Sequence, residues 1–135
     1  MTVRTTPYRR ALLTLVGGFY LAIGAAHALG PSSRGLDTGL GWLPTHLDAD
    51  ELGWLWIIGG PIIGAAAWSG RSWSDKLAFG VATLLPALWA SIFLISWLAY
   101  DNGTGARMAL IYALLTAMLI LIAAWPNPPR TKEAS

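Results

Sequence analysis

Cysteine is absent from this chain of 135 residues, which excludes a disulfide framework, a thiolate nucleophile and a Cys-ligated metal. Charge is scarce as well. Asp, Glu, Lys and Arg make up 12 % of the residues, against roughly 25 % in an average soluble chain. No basic run interleaves with aromatics, so no nucleic-acid surface is expected. Neither H-E-x-x-H nor G-x-S-x-G occurs, and Gly103-Thr104-Gly105 lacks the length and the lysine of a phosphate-binding loop. These gaps predict a chain that is not an enzyme and carries no cofactor.

What the chain does have is apolar length. Four charge-free segments run Ala11–Leu29, Leu52–Trp68, Leu77–Tyr100 and Met108–Trp125, at 19, 17, 24 and 18 residues. A helix rises about 1.5 Å per residue, so roughly 20 apolar residues match a hydrocarbon core of about 30 Å. The expected fold class is therefore all-α, a single integral membrane domain over residues 1–135 with four antiparallel transmembrane helices. One longer outer loop, residues 30–51, joins the first two spans. Short turns join the others: Asn102-Gly103-Thr104-Gly105 between spans three and four, and a few residues before a Ser72-Trp73-Ser74-Asp75 capping-box pattern between two and three.

Charge placement predicts orientation. With the N-terminus inside, Arg4, Arg9, Arg10, Arg71, Lys76, Arg130 and Lys132 lie on the cytoplasmic side and only Arg34 and Arg107 on the other. Short cytoplasmic loops retain Lys and Arg, so both termini are expected in the cytoplasm of a bacterial cell, with the chain in the inner membrane. Tryptophan supports the span ends. Trp54, Trp56, Trp68, Trp73, Trp97 and Trp125 fall where spans meet water, the level at which an amphipathic indole settles. Trp89 falls mid-span, so it must pack on a neighbour or face lipid. A rival reading of the first span also stands: Arg9-Arg10 followed by Ala26-His27-Ala28 matches an export signal with a cleavage site, leaving three spans.

Inside a bilayer, helices associate through close backbone approach at small residues. Gly18, Ala22 and Ala26 form a four-residue stripe in the first span, and Gly60 and Gly64 form a G-x-x-x-G in the second. These five are the candidates for helix packing or for contact with a second copy. Ala78, Ala82, Pro86 and Ala90 share a face in the third span, as do Ala109, Ala113 and Ala117 in the fourth. Pro61 and Pro86 each remove a helix hydrogen bond, and the resulting bends either open a cavity between spans two and three or fit the bundle together.

Groups able to do chemistry are few. Of Asp, Glu, Lys, Arg and His, the spans hold only His27, whose ring is either a pH-sensing group or ligand or simply bonds a carbonyl at the interface. Thr14, Tyr20, Thr83, Ser91, Ser96, Tyr112 and Thr116 are expected to bond back to their own helices. In the outer loop, His46, Asp48, Asp50 and Glu51 lie close enough to hold a divalent ion weakly, but helix capping explains the same carboxylates, and no metal site is assigned. Trp42 and Leu43, with Leu40 and Leu47, would lie on the membrane surface or fold over the bundle, and Trp42 and Leu43 are the loop's candidate partner contacts.

The run Gly41-Trp42-Leu43-Pro44, the segment Leu52-Gly53-Trp54-Leu55-Trp56-Ile57 and the closing Ala124-Trp125-Pro126 resemble small four-span membrane proteins of actinobacterial phages. Some of those are considered holin-like, so the resemblance implies an oligomer that permeabilises the inner membrane for lysis. It carries no site residues with it. The alternative is a membrane interaction or accessory protein, such as an assembly factor, a subunit or a superinfection blocker, acting through its outer loop or helix faces. A small transporter is the third reading, and the lack of charged groups in the spans weighs against it. Expected partners are the lipid bilayer, a homo-oligomer copy and a protein at the outer loop.

Overall fold

The computed structural model describes residues 7–29, 40, 49–69, 71 and 73–125. Four helices account for nearly all of them: α1 Pro7–Leu29, α2 Ala49–Trp68, α3 Ser74–Tyr100 and α4 Gly103–Ala124. Each is long and apolar enough to cross a membrane. All four begin before the apolar segment that announces them, because polar residues supply helix starts without breaking the helix. Pro7 heads α1, where a missing N–H forfeits no helix bond, and this carries Arg9 and Arg10 into the first turns. Asn102 caps α4, its side-chain oxygen accepting from the N–H groups of Thr104 at 3.0 Å and Gly105 at 3.4 Å. The expected four-residue turn therefore shrinks to Asp101 and Asn102. Asp101 adopts a left-handed φ of 49°, and its N–H returns to the Ser96 carbonyl. Ser72, the first residue of the capping-box pattern expected before α3, lies outside the described residues. Trp73 holds the N-cap position with no side-chain cap bond, while the Ser74 hydroxyl donates to the Arg71 carbonyl at 2.6 Å.

The inner faces follow a repeat of four and three residues. On α1 the buried positions are Leu13, Gly17, Tyr20 and Gly24, with half-buried His27 next in the series. On α2 they include Gly53, Trp56, Gly60, Ile63 and Ala67. This averages 3.5 residues, the period of helix pairs that wind around one another. The two series meet backbone to backbone. A Cβ added at Gly17 would lie 2.7 Å from the Gly60 carbonyl oxygen, and one at Gly24 would lie 2.8 Å from that of Gly53. Elsewhere, Gly59 accommodates the side chains of Leu85 and Val81 between α2 and α3. Gly105 brings α4 against α3, its absent Cβ 2.9 Å from the Phe93 carbonyl oxygen. Among the described residues, α3 packs on all three other helices, whereas α4 packs its backbone on α3 alone.

The small-residue candidates divide accordingly. Gly60 lies in the α1–α2 seam, and the backbone nitrogen of Gly64 borders Gly17, although a Cβ on Gly64 itself would meet nothing within 4 Å. Gly18, Ala22 and Ala26 are exposed on the outward face of α1, and a Cβ at Gly18 would enter open space. Within the bundle, α1 therefore packs through Gly17 and Gly24. Trp42 and Leu43 lie outside the described residues, as do His46 and Asp48, while Leu40 is buried in the hydrophobic core.

The seam generates a paired prediction. Gly17→Leu must drive α1 and α2 apart and should lower thermal stability in detergent by several degrees, whereas Gly18→Leu, one residue away, should leave the unfolding midpoint nearly unchanged.

Candidate functional site in the aromatic core

Six rings from all four helices meet inside the bundle: Tyr20 and His27 on α1, Trp56 on α2, Trp89 and Phe93 on α3, and Tyr112 on α4. Tyr20, Trp56, Trp89 and Phe93 have no exposed surface, and Tyr112 is buried too. Tyr20 meets Trp56 edge-on, with centroids 4.5 Å apart and planes at 88°. Trp89 lies 5.6 Å from Tyr112 and 5.7 Å from Phe93. Tyr112 also reaches Trp56 at 6.0 Å and lies parallel to Phe93 at 5.9 Å. His27 stacks on Trp89 at 5.8 Å with planes 20° apart. Each well-oriented aromatic pair contributes roughly 0.5–1.5 kcal/mol. The cluster thus joins α4 to α2, helices whose backbones stay apart.

Trp56 corrects an expectation. Counted with the interfacial tryptophans, it is instead fully buried, whereas Trp54, two residues earlier, is exposed. The 3.5-residue repeat separates them, since Trp56 falls on the Gly53–Gly60 face and Trp54 does not. Trp68, Trp73, Trp97 and Trp125 are exposed, and Trp89 packs on its neighbours.

Tyr20 ties two helices together in the buried interior. Its hydroxyl donates to the Ala82 carbonyl at 2.6 Å. Ala82 lies four residues before Pro86, which has no N–H to give it, so proline orphans an acceptor and a tyrosine from another helix satisfies it. This replaces the expected bond of Tyr20 to its own helix. Thr14, Thr83, Ser91 and Thr116 do bond back, each to the carbonyl four residues earlier. The indole N–H groups of Trp56 and Trp89 and the hydroxyl of Ser96 are buried without a partner.

A second junction lies at the Arg9 end. One guanidinium nitrogen of Arg9 donates to the carbonyls of Ala123 at 3.0 Å and Trp125 at 2.7 Å, with Ile122 at 3.4 Å. These close the C-terminus of α4, where carbonyls lack helix partners and the dipole favours a cation. The same guanidinium lies 5.6 Å from the Phe79 ring centroid. Nearby, the Trp68 indole donates to the Thr14 hydroxyl at 3.0 Å. Read from sequence, Arg9 is a topology charge and part of an export-signal pattern, since nothing local announces a partner 116 positions away.

The rings pack on one another with hydroxyl and indole groups as the only polar contributions besides His27, and that set assembles no nucleophile with a base. Among the described residues, no group of three or more His, Asp or Glu could hold a metal ion. Comparisons with protein-family models, with curated proteins and with solved structures found no match to this chain. The molecule is a small four-helix, membrane-spanning bundle, and its described residues include no evident catalytic or cofactor-binding group.

Two predictions follow from these junctions. Tyr20→Phe should destabilise the bundle by about 1 kcal/mol, the scale of an interhelical bond in a membrane, and the loss should shrink in a Pro86→Ala background, where residue 86 regains the N–H that Ala82 needs; a double-mutant cycle measures the coupling. Arg9→Gln should loosen the end of α4, seen as faster amide exchange over 119–125 with exchange over α2 unchanged.

Proposed function

We propose that this chain is a non-enzymatic accessory protein of a bacterial inner membrane, its helices antiparallel and both termini cytoplasmic, holding a partner through its outward helix faces. The pairing of Gly17 with Gly60 and of Gly24 with Gly53 supports the antiparallel arrangement of the first two helices. The observation that carries the reading is a ring-filled interior inside an apolar exterior. Leu15, Phe19, Leu84, Leu88, Leu110, Leu114 and Leu121 face outward from α1, α3 and α4. The outward hydroxyls of Thr14 and Ser91 are engaged with their own helices. A water-filled lesion needs a polar face to line it, and the described helices present none.

The same exterior favours contact with another membrane helix. Gly18, Ala22 and Ala26 leave a smooth outward strip on α1, where a neighbouring backbone can approach. A second copy seated there is the starting point of the holin-like alternative, so the strip serves both readings and the lining separates them. Gly60 is unsuited to testing either, because a side chain there would disrupt the monomer.

Induced at high abundance in a bacterial host, the chain should leave membrane potential and dye exclusion unchanged. Abrupt depolarisation that a Gly18→Leu/Ala22→Leu variant lacks at equal abundance would replace the accessory reading with the lesion former.

A further inference from the structure

A groove of about 520 Å³ runs along the outside of the bundle between α3 and α4. Lys76 stands at one end, Gly80, Thr83 and Ala87 form its α3 wall, and Thr116 and Ile120 form its α4 wall. The α3 positions recur at four, three and four residues, so they share one face of the helix. The hydroxyls of Thr83 and Thr116 donate to their own helices, which leaves their methyl groups to line the groove. Gly80 makes the groove deep, for a Cβ there would meet nothing within 4 Å.

Length and charge indicate what fills it. From Lys76 to Ala87 the helix rises about 16 Å, close to half of a hydrocarbon core of about 30 Å, and so to the depth of one leaflet. The walls are apolar along that depth, and the cation stands where a headgroup would lie. Arg71 and Trp73 are exposed just before α3, adding a second cation and an interfacial indole at this end; Asp75, in the first turn, is the one acidic neighbour on the helix. We propose that the groove binds one acyl chain of an anionic phospholipid, whose phosphate is held at Lys76. The proposal needs only the membrane-embedded bundle and is independent of the accessory role.

Native mass spectrometry of the detergent-purified chain tests it, with phosphatidylglycerol and phosphatidylcholine of identical acyl chains as probes. The wild type should retain one phosphatidylglycerol about fivefold better than phosphatidylcholine, the scale of one basic side chain at an anionic surface. Lys76→Gln should reduce that retention to the phosphatidylcholine level. Gly80→Phe, at a position where an added Cβ meets nothing within 4 Å, should abolish retention of both. Equal retention by wild type and Gly80→Phe would overturn the proposal, as would the absence of a headgroup preference in the wild type. Conversion of a multi-copy wild-type species to monomer by Gly80→Phe would also overturn it, by assigning the groove to a second copy.

Discussion

Apolar side chains gain nothing by leaving lipid for one another, so the usual drive to collapse is missing from a bundle like this one. Contact must come from surfaces that fit closely enough to exceed what lipid offers, and here that condition is met first by the glycines between α1 and α2. Gly17, Gly24, Gly53 and Gly60 let two helical backbones touch along a seam. Everything else follows from the rotation that this contact imposes. Once Gly17 and Gly24 face α2, Tyr20 and His27 on the same repeat turn towards the interior, and Gly18, Ala22 and Ala26 turn out. The phase of one helix thus places both the hydroxyl that reaches Ala82 and the ring that stacks on Trp89.

The two halves of the bundle are joined by different means. Glycine permits close approach between α1 and α2, and again where Gly105 meets α3, whereas large rings span the gap between α2 and α4. Rings bridge a wide separation without polar cost, except that indole brings an N–H that lipid cannot satisfy. Two such groups are buried unpartnered in the core. Each weakens the interior by an amount that the surrounding ring contacts must offset. Pro86 illustrates the opposite solution. The acceptor it orphans is met by Tyr20, so a proline that would weaken α3 alone instead fixes α1 against it.

Helix number and approximate extent were legible because span length is set by bilayer thickness and charge is excluded from it. The ends were less so. Pro7, Ser74 and Gly103 begin their helices outside the segments that hydropathy marks, and Asn102 caps the last of them. The buried faces were harder still. A four-residue spacing selects Gly18, Ala22 and Ala26 on α1, but that spacing alone drifts around a helix, and the 3.5-residue repeat through Leu13, Gly17, Tyr20, Gly24 and His27 is the one that stays on a single face. The same repeat distinguishes Trp56 from Trp54. The bonds from Tyr20 to Ala82 and from Arg9 to the end of α4 join positions 62 and up to 116 residues apart, and no local pattern encodes such pairings. Only the proline at 86 announced that some acceptor on α3 would need a donor.

The core's chemistry also bears on transport. His27, Trp89, Tyr112 and Trp56 form a continuous run of rings through the interior, with Tyr20 beyond, and a continuous run invites comparison with a proton path. A relay requires each member to accept a proton as well as give one. Indole nitrogen only donates, so Trp89 and Trp56 interrupt the run at two places. The Tyr20 hydroxyl is directed at a backbone carbonyl, which holds no proton to pass on. The interior holds the helices together, and among the described residues the apolar surfaces left for interaction are those that face outward.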